Sequence, residues 1–159
     1  HAGSAGVQEQ ACKTLCNMTT NNAENATREG SAGAVEAVVA AMGGHAGSTG
    51  VLEQACWVLE NMTRNNAENK TRTGNAGAVE AVVAAMRGHA GSAGVQEQAC
   101  KTLCNMTTNN AENATREGSA GAVEAVVAAM GGHAGSTGVL EQACWVLENM
   151  TRNNAENKT

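Results

Sequence analysis

The chain repeats itself at two lengths. Residues 1–71 recur letter for letter as residues 89–159, which defines a duplication of 88 residues. Within that duplication, residues 1–44 match residues 45–88 at 34 of 44 positions. A repeat of this length is typical of solenoids, in which each unit buries its apolar face only against its neighbours. The sequence therefore predicts a single array over residues 1–159, with units 1–44, 45–88, 89–132 and a partial unit 133–159.

The composition limits the core of this array to small side chains. The chain has no Pro, Tyr or Phe, and Trp57 and Trp145 are its only aromatic residues. A fully buried Val or Leu contributes only about 1.5–3 kcal/mol to stability. One unit alone could not offset the entropy cost of ordering its chain, so the units must stack.

Charge and hydropathy disfavour two classes of partner. The net charge is −5 at pH 7 and the basic residues do not cluster, which argues against a nucleic acid surface. The longest apolar stretches, such as residues 37–42, are far shorter than the roughly 20 residues that cross a bilayer, so we expect no membrane span. A signal-peptide core is absent, and the start at His1 leads us to expect a longer parent chain.

Each unit carries two apolar stripes at the spacing of an amphipathic α-helix. The first stripe consists of Val7, Ala11, Cys12, Leu15 and Met18, and the second of Val35, Val38, Val39 and Met42. Between the stripes, residues 21–30 are polar, with Asn22 placed to cap a short helix and Gly30 placed to end it. The sequence of each unit therefore predicts three helices: a short first helix, a second helix and a long third helix.

A three-helix unit of this length resembles the armadillo repeat when its long helix reads EQACWVLENM, as residues 53–62 do. In that family the third helix typically carries a Trp-x-x-x-Asn pair of the kind seen at Trp57 and Asn61, and again at Trp145 and Asn149. The Ala-Gly-Ala-rich second helix of the family is similar to residues 76–83. The resemblance covers the whole chain and implies an all-α, right-handed α–α superhelix of 44-residue repeats.

In the register that this resemblance implies, a lone third helix precedes the repeats and the stub of a first helix follows them. One departure is that Lys13 and Lys101 stand where the Trp would be. Neither end resembles the polar cap that solenoids need to stay soluble, so we expect the array either to continue or to stack end to end with other copies. The implied repeats are 22–65, 66–109 and 110–153.

The differences between the two unit types concentrate on the third helix. At 100° per residue, positions 13, 16, 17 and 20 lie opposite the stripe of Val7, Ala11, Leu15 and Met18. The pattern predicts that the variable positions face solvent, either as a drifting surface or as a recognition surface. The five substitutions on this helix are Gln8/Leu52, Lys13/Trp57, Thr14/Val58, Cys16/Glu60 and Thr20/Arg64.

An asparagine on this variable face never changes, and the row it forms is a candidate peptide-binding ladder. A carboxamide offers a donor and an acceptor to the backbone of an extended peptide, and the Trp side chains would provide flat walls between successive asparagines. Armadillo proteins that bind extended peptides use this helix, although Asn is also common there for structural reasons. Glu53 and Glu60 would favour Lys or Arg in the peptide through charge and cation–π contact. The candidate residues are Asn17, Glu53, Trp57, Glu60, Asn61, Asn105, Trp145 and Asn149.

The pattern Asn-x-Thr, which matches the N-glycosylation acceptor, occurs twice in each unit. One set lies within the third helix, at the ladder asparagines. The other set lies in the polar segment of the first helix, which we expect to be exposed. The candidate glycosylation sites are therefore Asn25, Asn69, Asn113 and Asn157. Localisation stays open: the chain would be cytoplasmic if these sequons are unused and extracellular if they carry glycans.

The sequence offers no constellation for catalysis or metal binding, so we predict no enzyme, no cofactor and no metal. A nucleophile, a base and an orienting acid never meet in one unrepeated setting. The cysteines lack Cys-x-x-Cys spacing, and those on the apolar stripe should behave as small hydrophobes. One histidine per unit, at positions 1, 45, 89 and 133, is too widely spaced for tetrahedral coordination and reads as a solvated loop residue.

Two functions follow from these patterns. The first is a non-catalytic armadillo-type scaffold that belongs to a longer, self-associating structural array or filament, with neighbouring copies as its partners, end to end or laterally. The alternative is an interaction module that binds an extended basic peptide along the Asn ladder. Replacement of Asn61, Asn105 and Asn149 should separate the two, because it should abolish peptide binding and spare assembly.

Overall fold

In the computed structural model, which describes residues 3–153, every regular element is an α-helix. The helices follow one another in the predicted cycle of short, second and long. Their bounds are α1 Ala5–Thr19, α2 Ala23–Ser31, α3 Ala34–Gly44, α4 Thr49–Thr63, α5 Ala67–Asn75, α6 Ala78–Gly88, α7 Ala93–Thr107, α8 Ala111–Ala120, α9 Ala122–Gly132 and α10 Thr137–Asn153.

We name the repeats by the proposed bounds. Repeat 1 (22–65) contains α2, α3 and α4, repeat 2 (66–109) contains α5, α6 and α7, and repeat 3 (110–153) contains α8, α9 and α10. Helix α1 lies before repeat 1 and has the sequence of α7. The third helices α1, α4, α7 and α10 pack directly against one another in that order and form one continuous layer.

Side-chain caps and left-handed residues separate the helices. The Ser48 hydroxyl accepts a hydrogen bond from the Val51 N–H at the start of α4, and Asn22 caps α2 as its position predicts. Asn65, with φ of 55°, turns the chain between α4 and α5. Gly30 does not end α2, because the helix continues to Ser31; Gly30 is instead buried inside it.

The two predicted apolar stripes form much of the core in repeats 1 to 3. On α1 the prediction is wrong for most of the first stripe: Val7, Ala11 and Met18 are exposed, because α1 has no first and second helix before it within the described residues. In α4 the stripe residues Val51, Ala55, Cys56, Leu59 and Met62 are completely buried. Burial raises the pKa of the Cys56 thiol to about 12, so this cysteine behaves as the predicted small hydrophobe.

The prediction that the variable positions of the third helix face solvent is wrong for most of them. Leu52, Val58 and Glu60 are buried in repeat 1, and Thr102 is completely buried in repeat 2. The physical reason is that a third helix contacts the third helices before and after it, as well as the other helices of its own repeat. At position 13 and its equivalents, Trp57 and Trp145 have the exposure that the pattern predicts, and Lys13 and Lys101 are half-buried.

The loop histidines His89 and His133 are half-exposed, and each also bonds to the loop of the preceding repeat, which the sequence did not predict. His1 lies outside the described residues. His89 Nε2 lies 2.7 Å from the carbonyl oxygen of Ala46, and its Nδ1 lies 3.2 Å from Thr49 Oγ1. His133 Nε2 makes the same contact with Ala90, at 2.8 Å. Consecutive loops are therefore tied together along one edge of the array.

Candidate peptide-binding groove

A groove of about 510 Å³ runs across the third helices α4, α7 and α10. Its ends are formed by the two tryptophans, on α4 and α10, and its centre by residues of α7. The lining residues are Trp57, Glu60, Arg64, Gln98, Lys101, Cys104, Asn105, Gln142 and Trp145. Five of the eight predicted peptide-binding residues thus meet here: Trp57, Glu60, Asn105 and Trp145 line the groove, and Asn149 bonds to its lining residue Cys104.

The two tryptophans of the groove are both exposed. The Trp57 side chain is 38% exposed and the Trp145 side chain 60% exposed. An indole combines a large apolar surface with an N–H donor, which suits it to contact with a ligand. Each indole is available to pack against a ligand.

The ladder asparagines use their amide nitrogens to hold neighbouring third helices together. Asn61 Nδ2 donates to Thr20 Oγ1 at 3.2 Å and to Thr19 Oγ1 at 3.4 Å, both at the end of α1. Asn149 Nδ2 donates to Thr108 Oγ1 and to Cys104 Sγ, both at 3.1 Å. These asparagines therefore have a structural role, which is to join neighbouring third helices. Within residues 3–153, no hydrogen bond to their Oδ1 atoms is present.

The other two members of the row differ from this pattern. Asn105 Nδ2 donates to Glu60 Oε1 at 3.3 Å, so it bonds a carboxylate where Asn61 and Asn149 bond hydroxyls. Asn17 is exposed on α1 and lies outside the groove. The four asparagines are thus equivalent in the sequence, but the structure places them in three different environments.

The two glutamates that were expected to attract a basic peptide lie in unlike surroundings. Glu60 is only 6% exposed, and it forms an ion pair with Arg64 in addition to its bond from Asn105. Glu53 is half-buried, and its carboxylate lies over the first turn of α7, where a Cβ added at Gly94 would be 2.7 Å from Oε2. A helix N-terminus stabilises a carboxylate placed there.

Sequence reasoning missed Arg64, Lys101 and Cys104 as groove residues. Lys101 Nζ lies 2.6 Å from Glu97 Oε1 on the same helix, and Arg64 pairs with Glu60 in the same way. These ion pairs could have been predicted from the sequence, because each basic residue follows a glutamate by four positions on the same helix. Cys104 was expected on the outer side of α7 and is half-buried against α10 instead.

The predicted glycosylation sites of the first helix are not on an exposed surface. Asn69 is 2% exposed and Asn113 is 1% exposed. Asn69 Nδ2 donates to the carbonyl oxygens of Ala26 and Met62, both at 2.9 Å, and a glycan on that atom would displace these bonds. Asn25 is half-buried and donates to the Met18 carbonyl oxygen at 2.9 Å. Asn157 lies outside the described residues.

Two negative findings hold for the described part of the chain. Between residues 3 and 153, no three or more His, Cys, Asp or Glu side chains are arranged to hold a metal ion. Over the same residues, no helix combines the length and the apolar character that crossing a membrane requires.

The fold and groove identify the class of protein. A family model described as an LRRK2 ARM repeat matches residues 3–157, so the chain belongs to the armadillo repeat family. Folds of this family are in general non-catalytic scaffolds that bind other proteins. No curated protein matches the chain significantly.

Solved structures agree on the fold. An engineered protein superposes with a TM-score of 0.83 at 23% identity, over 95% of this chain and 59% of its own. A second engineered protein gives 0.85 at 23% identity, over 97% and 36%. A designed armadillo repeat protein in complex with peptide (KR)4 gives 0.78 at 22% identity, over 93% and 62%. The predicted all-α, right-handed superhelix is confirmed, and the chain spans less than two thirds of each of these structures.

Proposed function

We propose that the chain is a non-catalytic scaffold that binds an extended peptide along its third helices. The observation that carries the proposal is the groove between Trp57 and Trp145, which crosses three consecutive third helices. An extended chain laid across these helices would pack on both indoles and pass over Asn105 between them. Aromatic residues with few, well-placed polar groups are the usual composition of a binding groove.

The asparagines would hold the backbone of the peptide through their oxygen atoms. Because the Nδ2 atoms of Asn105 and Asn149 donate to neighbouring helices, the opposite Oδ1 atoms can accept peptide N–H groups. Asn61 is 8% exposed and lies beside the groove, so a peptide that continues over α4 would reach it at the margin. The same bonds fix the side-chain torsions before a ligand arrives, which lowers the entropy cost of binding. The bonds within the array and the recognition of a peptide are therefore compatible uses of one side chain.

The chemistry of the ligand is supported from two directions. A designed armadillo repeat protein of the same fold was solved in complex with peptide (KR)4. In this chain, an exposed indole stands next to a carboxylate at Trp57 and Glu53, and again at Trp145 and Glu141. An aromatic face with a nearby negative charge suits Lys or Arg.

The test is a titration of peptide (KR)4 into the chain, followed by the fluorescence of its two tryptophans and by calorimetry. We expect saturable binding that weakens at least about tenfold when Asn61, Asn105 and Asn149 are all replaced by alanine. The matched control is Asn75→Ala, an exposed carboxamide on the first helix α5. If the triple variant melts cooperatively and still binds as tightly as the control, the proposed groove is wrong.

A second candidate function, end-to-end association of copies, is favoured by the surface of α1. Val7 is 48% exposed and Met18 47% exposed, whereas Val95 and Met106, their equivalents on α7, are completely buried against α4 and neighbouring helices. Helix α10 repeats the sequence of α4, so a contact between α10 and α1 of another copy would reuse the residues of the α4–α7 contact.

Sedimentation velocity tests this candidate. We expect Val7→Glu to reduce association of the chain, because a charge would enter the contact. The matched control is Val127→Glu on α9, where the side chain is 54% exposed and outside that contact. Association that is unchanged by Val7→Glu would contradict end-to-end stacking.

A further inference from the structure

The third helices carry two different charge arrangements at the edge of the groove. Lys13 and Lys101 take the place that Trp57 and Trp145 occupy on the other third helices. Each lysine neutralises the glutamate one turn earlier: Lys13 Nζ lies 2.7 Å from Glu9 Oε1, and Lys101 Nζ lies 2.6 Å from Glu97 Oε1. A peptide cation placed over Lys101 would therefore meet an ammonium group and a carboxylate that already has its partner.

The tryptophan-bearing helices lack this neutralisation. Because Trp57 replaces the lysine, Glu53 forms no ion pair within residues 3–153, and the same holds for Glu141 next to Trp145. The remaining glutamates of these helices, Glu60 and Glu148, are paired with arginines four residues later. Each tryptophan helix thus presents one uncompensated carboxylate, a single turn away from an exposed indole.

The two uncompensated carboxylates differ in accessibility. Glu141 is exposed, and with Leu140, Cys144 and Trp145 it lines a second cavity of about 550 Å³. Glu53 is half-buried because its carboxylate lies over Gly94 at the start of α7. A guanidinium group can stack on an indole and bond a carboxylate at the same time, so both positions suit arginine, and Glu141 is the more accessible partner.

From this alternation we infer that the groove recognises a peptide with a period of two repeats. Cationic side chains bind on Trp57 and Trp145, and a side chain without positive charge faces Lys101 between them. This inference rests on the proposed peptide site and names the spacing and charge pattern of its ligand. A groove with one cation site in every repeat would require a tryptophan and an unpaired glutamate on α7, which has neither.

The geometry sets the expected spacing of the cations. Packed helices lie about 8–10 Å apart, so two repeats correspond to about 16–20 Å. An extended chain advances about 3.3 Å per residue, which places the two cations about five or six residues apart. Curvature of the array toward the groove would shorten this spacing, so the series to be tested runs from two to seven residues.

The experiment uses peptides of constant length that carry two arginines in a glycine–serine background, separated by two to seven residues. Binding is followed by quenching of the tryptophan fluorescence and by calorimetry on the whole chain. We expect one wide spacing to bind about tenfold more tightly than the narrow ones. We expect Glu141→Gln to remove most of that preference and the exposed control Glu24→Gln, on α2, to leave it unchanged.

A gain-of-function variant tests the role of the lysine. Lys101→Trp frees Glu97 and gives α7 the arrangement of its neighbours, so narrowly spaced arginines should now bind about as tightly as widely spaced ones. If every spacing binds equally to the wild-type chain, the two-repeat period is wrong while the groove stands. If no spacing binds, and (KR)4 does not bind either, the proposed peptide function fails with it.

Discussion

Within the layer of third helices, the contact between α4 and α7 is more polar than the contact between α7 and α10. In the first, Thr102 Oγ1 donates to the Cys56 carbonyl oxygen at 2.7 Å, and Asn105 donates to the Glu60 carboxylate. In the second, Val146 takes the place of Thr102 and Cys104 takes the place of Glu60. Val146 is completely buried. The two unit types therefore differ at one residue on each side of this contact, and each of the two polar residues bonds to a partner that does not vary.

The same contrast governs the two buried glutamates of these junctions. Glu60 is 6% exposed and has partners in Arg64 and Asn105. Glu117, on α8, is completely buried near Cys100 and Cys104, and neither of its carboxylate oxygens has a hydrogen-bond partner within the described residues. Burial raises the pKa of the Glu117 carboxyl well above its ordinary value. The Glu60 carboxylate thus has an arginine and an amide as partners, whereas the Glu117 carboxyl is buried without either.

The largest effect is expected when Glu117 is replaced by the neutral isostere, Glu117→Gln. The folded chain retains a proton on Glu117 that the unfolded chain releases above its ordinary pKa of 4.5, so the free energy of unfolding falls as the pH rises from 4.5 toward the raised pKa. The variant should lack this loss and become more stable than wild type as the pH increases. Urea unfolding at pH 4.5, 6 and 7.5 measures the difference.

The control for this experiment is Glu24→Gln, because Glu24 is exposed on the first helix α2. Its stability should stay parallel to that of the wild type at all three values of pH. If the stability of Glu117→Gln also stays parallel to that of the wild type, the Glu117 carboxyl does not have a raised pKa in the folded chain. The two buried glutamates would then not differ in their electrostatics.

The second prediction concerns a contact that both junctions share. The Oδ1 atom of Asn113 lies so close to Gly74 of the preceding first helix that a Cβ there would be 2.0 Å away. Gly74→Ala must therefore displace a buried carboxamide that donates to the carbonyl oxygens of Lys70 and Met106. We expect a loss of about 2 kcal/mol in the free energy of unfolding.

The matched control is Gly43→Ala, a glycine of the second helix α3 with open space around its Cα. Alanine there should be neutral or slightly stabilising, because it favours the helix over the unfolded chain. Denaturant unfolding measures the stability of both variants. If Gly74→Ala is as stable as Gly43→Ala, the first helices are not packed as closely as the structure indicates.

The sequence was sufficient to predict the helices and the core. The 3.6-residue stripe of Val51, Ala55 and Leu59 identifies the buried face of α4 without knowledge of the neighbouring repeats, because that face packs against the other helices of its own repeat. Periodicity and capping residues also predicted the order of the helices, and the family resemblance supplied the register of the repeats. Local periodicity and a local motif carry this information.

The contacts between repeats could not be predicted in the same way. Asn69 stands in a polar segment, and it is buried because it packs over Gly30 of the preceding first helix and bonds to the carbonyl oxygen of Ala26, 43 residues earlier. Val58 is buried because α1 covers a side of α4 that a helical wheel with one apolar arc assigns to water. A usable signal was present at Gly30 and Gly74, which recur inside a polar helix where alanine would be preferred and mark the close approach of Asn69 and Asn113.

The third prediction compares the ladder asparagines of the two junctions. Asn149→Ala removes bonds to Thr108 and Cys104, and Asn105→Ala removes the bond to the Glu60 carboxylate. Each change should lower the free energy of unfolding by about 1 kcal/mol. Urea unfolding measures both losses. A variant that is as stable as the wild type would show that its asparagine does not hold the neighbouring third helices together.

The smallest effect is expected on the groove surface, where Lys101 pairs with Glu97 at side-chain exposures of 32% and 35%. Accessible pairs of this kind contribute little, so Lys101→Met should change the free energy of unfolding by about 0.5 kcal/mol or less. The same variant leaves Glu97 without its partner and should strengthen the binding of a peptide whose arginine faces α7. Stability that hardly changes, together with a change in peptide preference, would separate the residues of the groove surface from those that join the repeats. A loss as large as that of Gly74→Ala would instead assign Lys101 to the junction.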